Sequence, residues 1–274
     1  MKLDYVCTNY NNSSYTREAV FSLLKNNGHQ FRIVVVDNNS DNGNVEALKD
    51  LAREFHEVEL ILNKDNIGYF KGLNIGIRHL RSKEADTDFI VVGNNDLVFP
   101  TDFADSVAGN LPTFEKYAVV SPDIVTLDGV HQNPHVVREI ARSREFIYDL
   151  YYANYYLALA IQKLAKVTRS FTDRPDENQH HIAQKIYQGY GACYVLGPVF
   201  FRNFQELWAP TFILHEEYFL SKQLNEKGLS VYYEPSIKVQ HRCHGAMHKF
   251  AGRKAWKLGR GAHKVYRQHV KIFS

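Results

Sequence analysis

Apolar and polar positions alternate in two different rhythms along the first hundred residues. LDYVCT (3–8) and FRIVVVD (31–37) are short, nearly continuous apolar runs, the pattern of strands buried on both faces. Between them TREAVFSLLKNNGH places Ala19, Val20, Leu23 and Leu24 at helical spacing and stops at Asn26-Asn27-Gly28. A second cycle sets Val45, Leu48, Leu51 and Phe55 on one helical face and continues into VELILN (58–63). A third runs from FKGLNIGIRHL (70–80), a glycine-containing helix, into the strand FIVV (89–92). Strand and helix in this succession predict a parallel sheet covered on both faces. Ligands of such sheets gather beyond the carboxyl ends of the strands, so the loops after Thr8, Asp37 and Val92 are expected to share one crevice.

The rhythm changes near residue 138. REIARSREFIYDLYYANYYLALAIQKLAK (138–166) is dense in Tyr and Leu with flanking Arg and Lys, and reads as one or two helices inserted upon the sheet. It suits a core-packed hairpin and an interfacial or acceptor-binding surface equally. GYGACYVLGPVFF (189–201) reads as a glycine-bracketed strand, HEEYFLSKQLNEKG (215–228) as a helix closed by Lys227 and Gly228, and LSVYYEPSIKVQH (229–241) as a strand or hairpin. The expected organisation is one domain over residues 1–245, with a helical insertion at about 138–185, followed by a basic helical tail over 246–274.

Composition narrows the classes. The chain has 274 residues, 45% of them apolar, enough for a large core. Cys7, Cys193 and Cys243 have neither disulfide nor metal-ligand spacing and point to buried thiols in a reducing compartment. MKLDYVCTNY lacks the apolar segment of a signal peptide, and no window reaches the roughly 18–20 apolar residues of a membrane span. A cytoplasmic protein is expected, soluble or peripheral at the inner face of the membrane. The formal charge of +3, with acids and bases interspersed over the first half, argues against a nucleic-acid partner.

Candidate chemistry lies at the strand ends. In FIVVGNNDLVF (89–99) three polar residues interrupt an apolar strand, and a buried Asp96 needs a cation or donors against it. Asp37 ends its strand before Asn38, Asn39 and Ser40; it suits a nucleobase imide or ribose hydroxyl, or simply a turn cap. NKDNIGYFKGLNIGI (63–77) offers Asn63, Asn66 and Asn74 with Gly68, Gly72 and Gly76, which would admit a phosphate to a helix N-terminus or let the helix pack closely on the sheet. Oxygen ligands at Asp96 favour Mg or Mn over zinc, and the grouping of His241, Cys243, His244 and His248 does not match common zinc spacings.

VCTNYNN, VVVDNNSDN, NKDNIGYFKGLNIGI, VVGNNDLVF, GACYVLGPVFF and FILHEEYFLSKQLNEKGLSVYYEPSIKVQH occur in the order found in family 2 glycosyltransferases of the GT-A fold. The chain resembles most the bacterial rhamnosyltransferase-like branch, over roughly residues 1 to 245. The resemblance implies a Rossmann-like α/β domain with a mostly parallel sheet flanked by helices. It implies a nucleotide-diphospho-sugar donor, dTDP- or UDP-linked, and a glycan or lipid-linked acceptor in bacterial surface polysaccharide synthesis. It implies that Thr8, Asn9 and Asp37 recognise the nucleotide, that Asn66, Gly68, Lys71 and Asn74 hold ribose and diphosphate, and that Asn94 and Asn95 line the donor site. Asp96 matches the last residue of the family's Asp-x-Asp metal motif, which Asn94 breaks, and His241 matches the histidine that completes a Mg or Mn site. Glu216 and Glu217 are by themselves an ordinary acidic start to a helix. The family places such a pair at the anomeric carbon, making Glu217 the general base and Glu216 the fallback. An inverting displacement follows: the base takes the acceptor proton, and cation and Lys71 offset charge on the leaving diphosphate.

Two other functions fit parts of the pattern. A sugar nucleotidyltransferase shares the architecture but normally has a glycine-rich basic loop after its first strand, which TNYNNSSYT is not. A nucleotide-sugar or glycan-binding module with degenerate catalysis fits the neutral Asn94 and Asn95. The basic tail, with Arg253, Lys254, Lys257, Arg260 and Lys264 among Trp256 and Tyr266, would contact anionic lipid or a phosphorylated carrier, or be a solvated helix packed on one side.

Overall fold

The computed structural model describes residues 1–83, 89–168, 175–243 and 252–271. Three strand–helix cycles open the chain: β1 (Lys2–Asn9), α1 (Ser13–Leu24), β2 (Gln30–Asp37), α2 (Asn42–Glu54), β3 (Val58–Leu62), α3 (Tyr69–Lys83) and β4 (Ile90–Asn94). β3, β2, β1 and β4 lie side by side, all parallel. Alternate residues of one strand enter different cores. Leu3, Tyr5 and Cys7 join Ala19, Leu23, Leu48 and Leu51 on one face, while Val6 joins Phe70, Leu73 and Ile77 on the other. This is why the strands read as unbroken apolar runs.

Beyond β4 the sheet is mixed. β5 (Leu97–Val98), α4 (Phe103–Gly109), α5 (Leu111–Lys116), β6 (Val119–Thr126), α6 (Arg142–Ala153), α7 (Tyr155–Thr168), β7 (Gln184–Ile186), β8 (Cys193–Leu196), α8 (Pro198–Asn203), α9 (Glu216–Asn225), β9 (Val231–His241) and α10 (Arg253–Tyr266) follow. β8 is antiparallel to both β4 and β6, β6 and β9 are parallel, and β5 and β7 are antiparallel to β9. Parallel pairing is therefore exclusive among β1 to β4, and beyond them the long β6–β9 ladder is parallel among short antiparallel ones. Apolar periodicity marks a strand as buried without giving its direction, which the long excursion through α6 and α7 reverses.

Two local readings change. PVFF, expected to prolong the strand through 201, is the start of α8, because Pro198 in its first turn ends the ladder and suits a helix start. The insertion is a pair of helices broken at Asn154, whose extended backbone (φ −146°, ψ 138°) ends α6. The expected tail begins in residues outside those described (244–251, which include His244 and His248), and resumes as α10.

α10 is docked on α6 rather than free. Tyr266 Oη donates to Glu145 Oε1 at 2.6 Å, His263 Nε2 lies 2.7 Å from Asp149 Oδ1, and Arg267 bonds Glu145 and Asp149. Trp256 Nε1 donates to the carbonyl of Tyr151, and Gly259 faces the ring of Tyr152 closely enough that a Cβ would sit 2.9 Å from it.

Candidate functional site

The strand ends do converge. Thr8, Asn9, Asn38, Asn94, Asn95 and Asp96 border one cavity of about 240 Å³, closed on the far side by Tyr69, Tyr190, Gly191 and the segment Phe212–Leu214 with Glu216 and Glu217. The polar residues at its floor hold one another. Asn9 Nδ2 donates to Asp37 Oδ1 at 2.8 Å, and Asn9 Oδ1 accepts from Thr16 Oγ1 and from Asn95 Nδ2 at 2.9 and 3.0 Å. Ser40 donates to Asp37 through its backbone NH and its hydroxyl. Asp37 is 1% exposed and does not border the cavity. Its carboxylate orders the loop after β2, and Asn38, held by Asn63 Nδ2 on one side and Gly68 O on the other, is the residue of that loop that reaches the cavity.

Asp96 and His241 come together from distant parts of the chain because β5 pairs with β9, bringing Leu97 opposite His241. Asp96 Oδ1 lies 3.2 Å from His241 Nε2, and both side chains are buried. His241 Nδ1 lies 2.7 Å from Gln132 Oε1, an acceptor, so Nδ1 donates there and Nε2 is the ring nitrogen turned toward the carboxylate. Asn94 Nδ2 approaches the same Nε2 at 3.2 Å. A carboxylate oxygen and an imidazole nitrogen facing each other are a donor pair that a divalent cation could bridge, with the Gln132 amide orienting the ring. Among the described residues no cluster of three or more His, Cys, Asp or Glu forms a metal cage. A cation here would draw its remaining oxygen ligands from substrate and water.

The acidic pair sits on a strained approach. Leu214 and His215 both adopt left-handed backbone angles (φ 75° and 66°) immediately before α9, a conformation that costs roughly 1–3 kcal/mol per residue and persists where surroundings impose it. The loop is pressed onto the start of α3. Gly68 has φ +93°, and a Cβ there would lie 2.0 Å from Phe212 O. Glu216 is buried, with Oε1 lacking a hydrogen-bond partner among the described residues. Burial, and then the neighbouring Glu217 charge, push its carboxyl well above the ordinary range. Glu217 Oε1 accepts from Gly191 N at 3.2 Å.

Glu217 and Leu214 also border a second, larger cavity of about 870 Å³, walled by residues 135–141, by Arg144, Tyr148 and Tyr152 of α6, by Gln184 and Gln188, and by Tyr218 and Tyr266. Gln188 is buried, and its Nε2 has no hydrogen-bond partner among the described residues.

Thr8, Asn9, Asn66, Asn94, Asn95, Asp96, Glu216 and Glu217 thus border the first cavity, with His241 directly behind Asp96. Lys71 and Asn74 do not join them. Asn74 clamps Leu207, donating to its carbonyl at 2.7 Å and accepting from its NH at 2.9 Å, and Lys71 is exposed on a separate cleft beside Arg78 and Trp208. About one and two helical turns past Gly68, they lie on the cleft away from the strand ends. Gly72 and Gly76 serve close packing, since Cβ atoms there would meet Thr8 at 2.6 Å and Val6 at 2.3 Å. Tyr69, Tyr190, Asn12 and Gln132 carry no sequence signal that singles them out. Tyr69 sits inside a motif conspicuous for its glycines, and its hydroxyl, donated to Gly191 O at 2.9 Å, is visible only in three dimensions.

The family described as Glycosyl transferase family 2 matches residues 5–165, more than half of the chain, and the protein belongs to that family. No curated protein matches the sequence. Among solved structures it is similar to TarS from S. aureus, at 15% identity and TM-score 0.53 over 86% of this chain and 60% of that one. It is also similar to the mannosyltransferase PcManGT from Pyrobaculum calidifontis in complex with GDP-Man and Mn2+, at 15% identity and TM-score 0.56 over 98% and 70% of the two chains. TarS in complex with UDP-GlcNAc aligns at 14% identity and TM-score 0.55, over 92% and 62%. These likenesses establish the GT-A fold, and the chain spans about 60% of the length of the TarS structures. The family match stops within α7, before Glu216, Glu217, His241 and α10.

Proposed function

We propose that the protein transfers a sugar from a nucleotide-diphospho-sugar to a hydroxyl of a saccharide, inverting the anomeric centre. The observation that carries this reading is the position of Glu217 on the boundary of two cavities, one Asn-rich at the strand ends, the other broad and lined by tyrosines and glutamines. In this reading the smaller cavity takes the donor and the larger one the acceptor. Neighbours of this fold in complex with GDP-Man and UDP-GlcNAc support a donor of that class.

In the reaction Glu217 accepts the proton of the acceptor hydroxyl as its oxygen attacks the anomeric carbon from the face opposite the diphosphate. Gly191 NH, bonded to Glu217 Oε1, orients that carboxylate. Glu216, held protonated beside it by burial, keeps a second negative charge away from Glu217. Asn9, Asn38 and Asn66 supply neutral donors and acceptors for nucleotide hydroxyls and amides. Asp96 and His241 would hold Mg2+ or Mn2+, which supplies positive charge for the leaving diphosphate; the neighbour containing Mn2+ supports that assignment. The Asn94 substitution within the Asp-x-Asp pattern favours weak retention of the cation in the absence of donor, and it is also the feature that keeps a donor-binding protein without turnover as a second reading. The finer reading follows the sequence resemblance: a rhamnosyltransferase-like enzyme using a dTDP- or UDP-sugar, acting on a glycan or lipid-linked acceptor of a bacterial surface polysaccharide at the cytoplasmic face of the membrane. Among the described residues no helix is long and apolar enough to cross a membrane.

The test is release of nucleoside diphosphate from dTDP-rhamnose, UDP-GlcNAc and GDP-mannose with Mn2+ present, for the wild type and Glu217→Gln. The variant is expected to keep donor binding and to lose about 10²–10⁴-fold in turnover. Binding without release by the wild type would favour the second reading, and full turnover by the variant would remove Glu217 from its role.

A further inference from the structure

The three helices added to the sheet present an outer surface unlike the rest of the molecule. α7 is apolar along most of its length, yet among the described side chains of residues 155–165 only Ala158 is buried. Tyr156 is 72% exposed, Leu164 59%, and Leu157 and Leu159 38% each. On α6, Phe146 is 50% and Leu150 37% exposed. Apolar side chains gathered in this way on adjoining helices mark a docking surface.

α10 adds charge to that surface, and its position follows from helical geometry. Its contacts with α6 pair Tyr266 with Glu145, His263 with Asp149, Gly259 with Tyr152, and Trp256 with Tyr151, so the two helices run antiparallel. On α6, Phe146 and Leu150 each follow a contact residue by one position, a rotation of about 100°. On α10, Lys257, Arg260 and Lys264 likewise follow Trp256, Gly259 and His263 by one position. Between antiparallel helices these two rotations turn to the same side. The exposed apolar row of α6 and the exposed basic row of α10 therefore face the same way. The only acids in α6, α7 and α10 are Glu145 and Asp149, and both are engaged by α10.

We propose that this face docks on a bilayer containing anionic phospholipid, with α7 and Phe146 entering the headgroup region and Lys257, Arg260 and Lys264 on the lipid phosphates. An apolar insert combined with a basic patch supplies the two signals that stable peripheral attachment requires. α7, with 14 residues, is too short to span the bilayer and suits lying in its interface. A second copy of the chain would bring the same basic row against itself, and exposed Leu and Phe side chains do not suit the polar surface of a nucleic acid. The inference is independent of the transferase reading, since none of the residues it places on the bilayer lines either cavity.

The test is flotation of the full chain with vesicles of phosphatidylcholine alone and of phosphatidylcholine with 30% phosphatidylglycerol. The wild type is expected to float with the anionic vesicles at least tenfold more than with the neutral ones. Lys257→Glu/Arg260→Glu/Lys264→Glu should abolish that preference, and Leu157→Ser/Leu164→Ser, on a solvent-exposed face, should reduce flotation at least fivefold. Circular dichroism melts establish that both variants fold. Equal partitioning into the two vesicles, absence from both, or flotation indifferent to both variants overturns the proposal, as does concentration-dependent dimerisation that the variants abolish. Nucleoside diphosphate release, followed on the same samples without vesicles, reports on the transferase reading alone.

Discussion

Glu216 shows how much one side chain's surroundings determine. Its carboxyl is buried beside another carboxylate, and the folded chain holds its proton well above the usual glutamate range. An acid that keeps its proton when folded and releases it when unfolded adds stability at low pH. That contribution falls away as pH rises from the ordinary value near 4.5 through the raised one. Glu216→Gln is therefore expected to melt at the same temperature as the wild type near pH 4 and higher at pH 8, by about 2–4 °C for each kcal/mol recovered. Differential scanning calorimetry at the two pH values checks it, and an equal shift at both would mean that Glu216 is ionised in the fold. Asp37 teaches the converse. A carboxylate at the end of a buried strand reads as a ligand group, and here Asn9 and Ser40 donate to its oxygens and fix it in the loop after β2.

At the scale of elements, the crevice depends on contact between the start of α3 and the loop before α9. Tyr69 N donates to Phe212 O at 3.1 Å, and the absence of a side chain at Gly68 lets that carbonyl in. Gly68→Ala adds both a left-handed strain and a clash with backbone. It is expected to cost more than about 1 kcal/mol in urea unfolding and to lower nucleoside diphosphate release, because Leu214, His215 and the acidic pair lose their support. Unchanged release would show that the loop holds its shape without α3. The strand–helix rhythm of the first hundred residues was legible because helices cover both faces of β1, β2 and β4 and leave each strand almost wholly apolar. The direction of β8 and the helical start at Pro198 were not, since neither changes the count of apolar residues.

For the whole molecule, the C-terminal helix reaches back to the site. Tyr266 stacks on His215 at 4.7 Å between ring centroids, linking α10 to the strained residue that precedes Glu216. Burial, with His263 and Arg267 nearby, lowers the His215 imidazole from the ordinary 6.5 to about 4. A histidine held neutral when folded but protonated when unfolded costs stability as pH falls, here between 6.5 and about 4. The loss is up to about 3 kcal/mol. His215→Gln should flatten that part of the urea midpoint's pH dependence, while leaving the region above pH 7 unchanged in slope. An identical profile would remove His215 as its source.

The sequence by itself determined what local chemistry can record: the alternation of strands and helices, the polar strand ends, the acidic pair at a helix start, and the family pattern that joins them. Only the tertiary structure decided which of those groups meet. His241 reaches Asp96 because β9 pairs with β5, Lys71 and Asn74 turn away because a helix rotates about 100° per residue, and Glu217 joins two cavities because α6 and α10 wall the second one. Periodicity encodes which face of an element is buried, whereas convergence depends on pairing between residues more than a hundred positions apart, and no local pattern carries that distance.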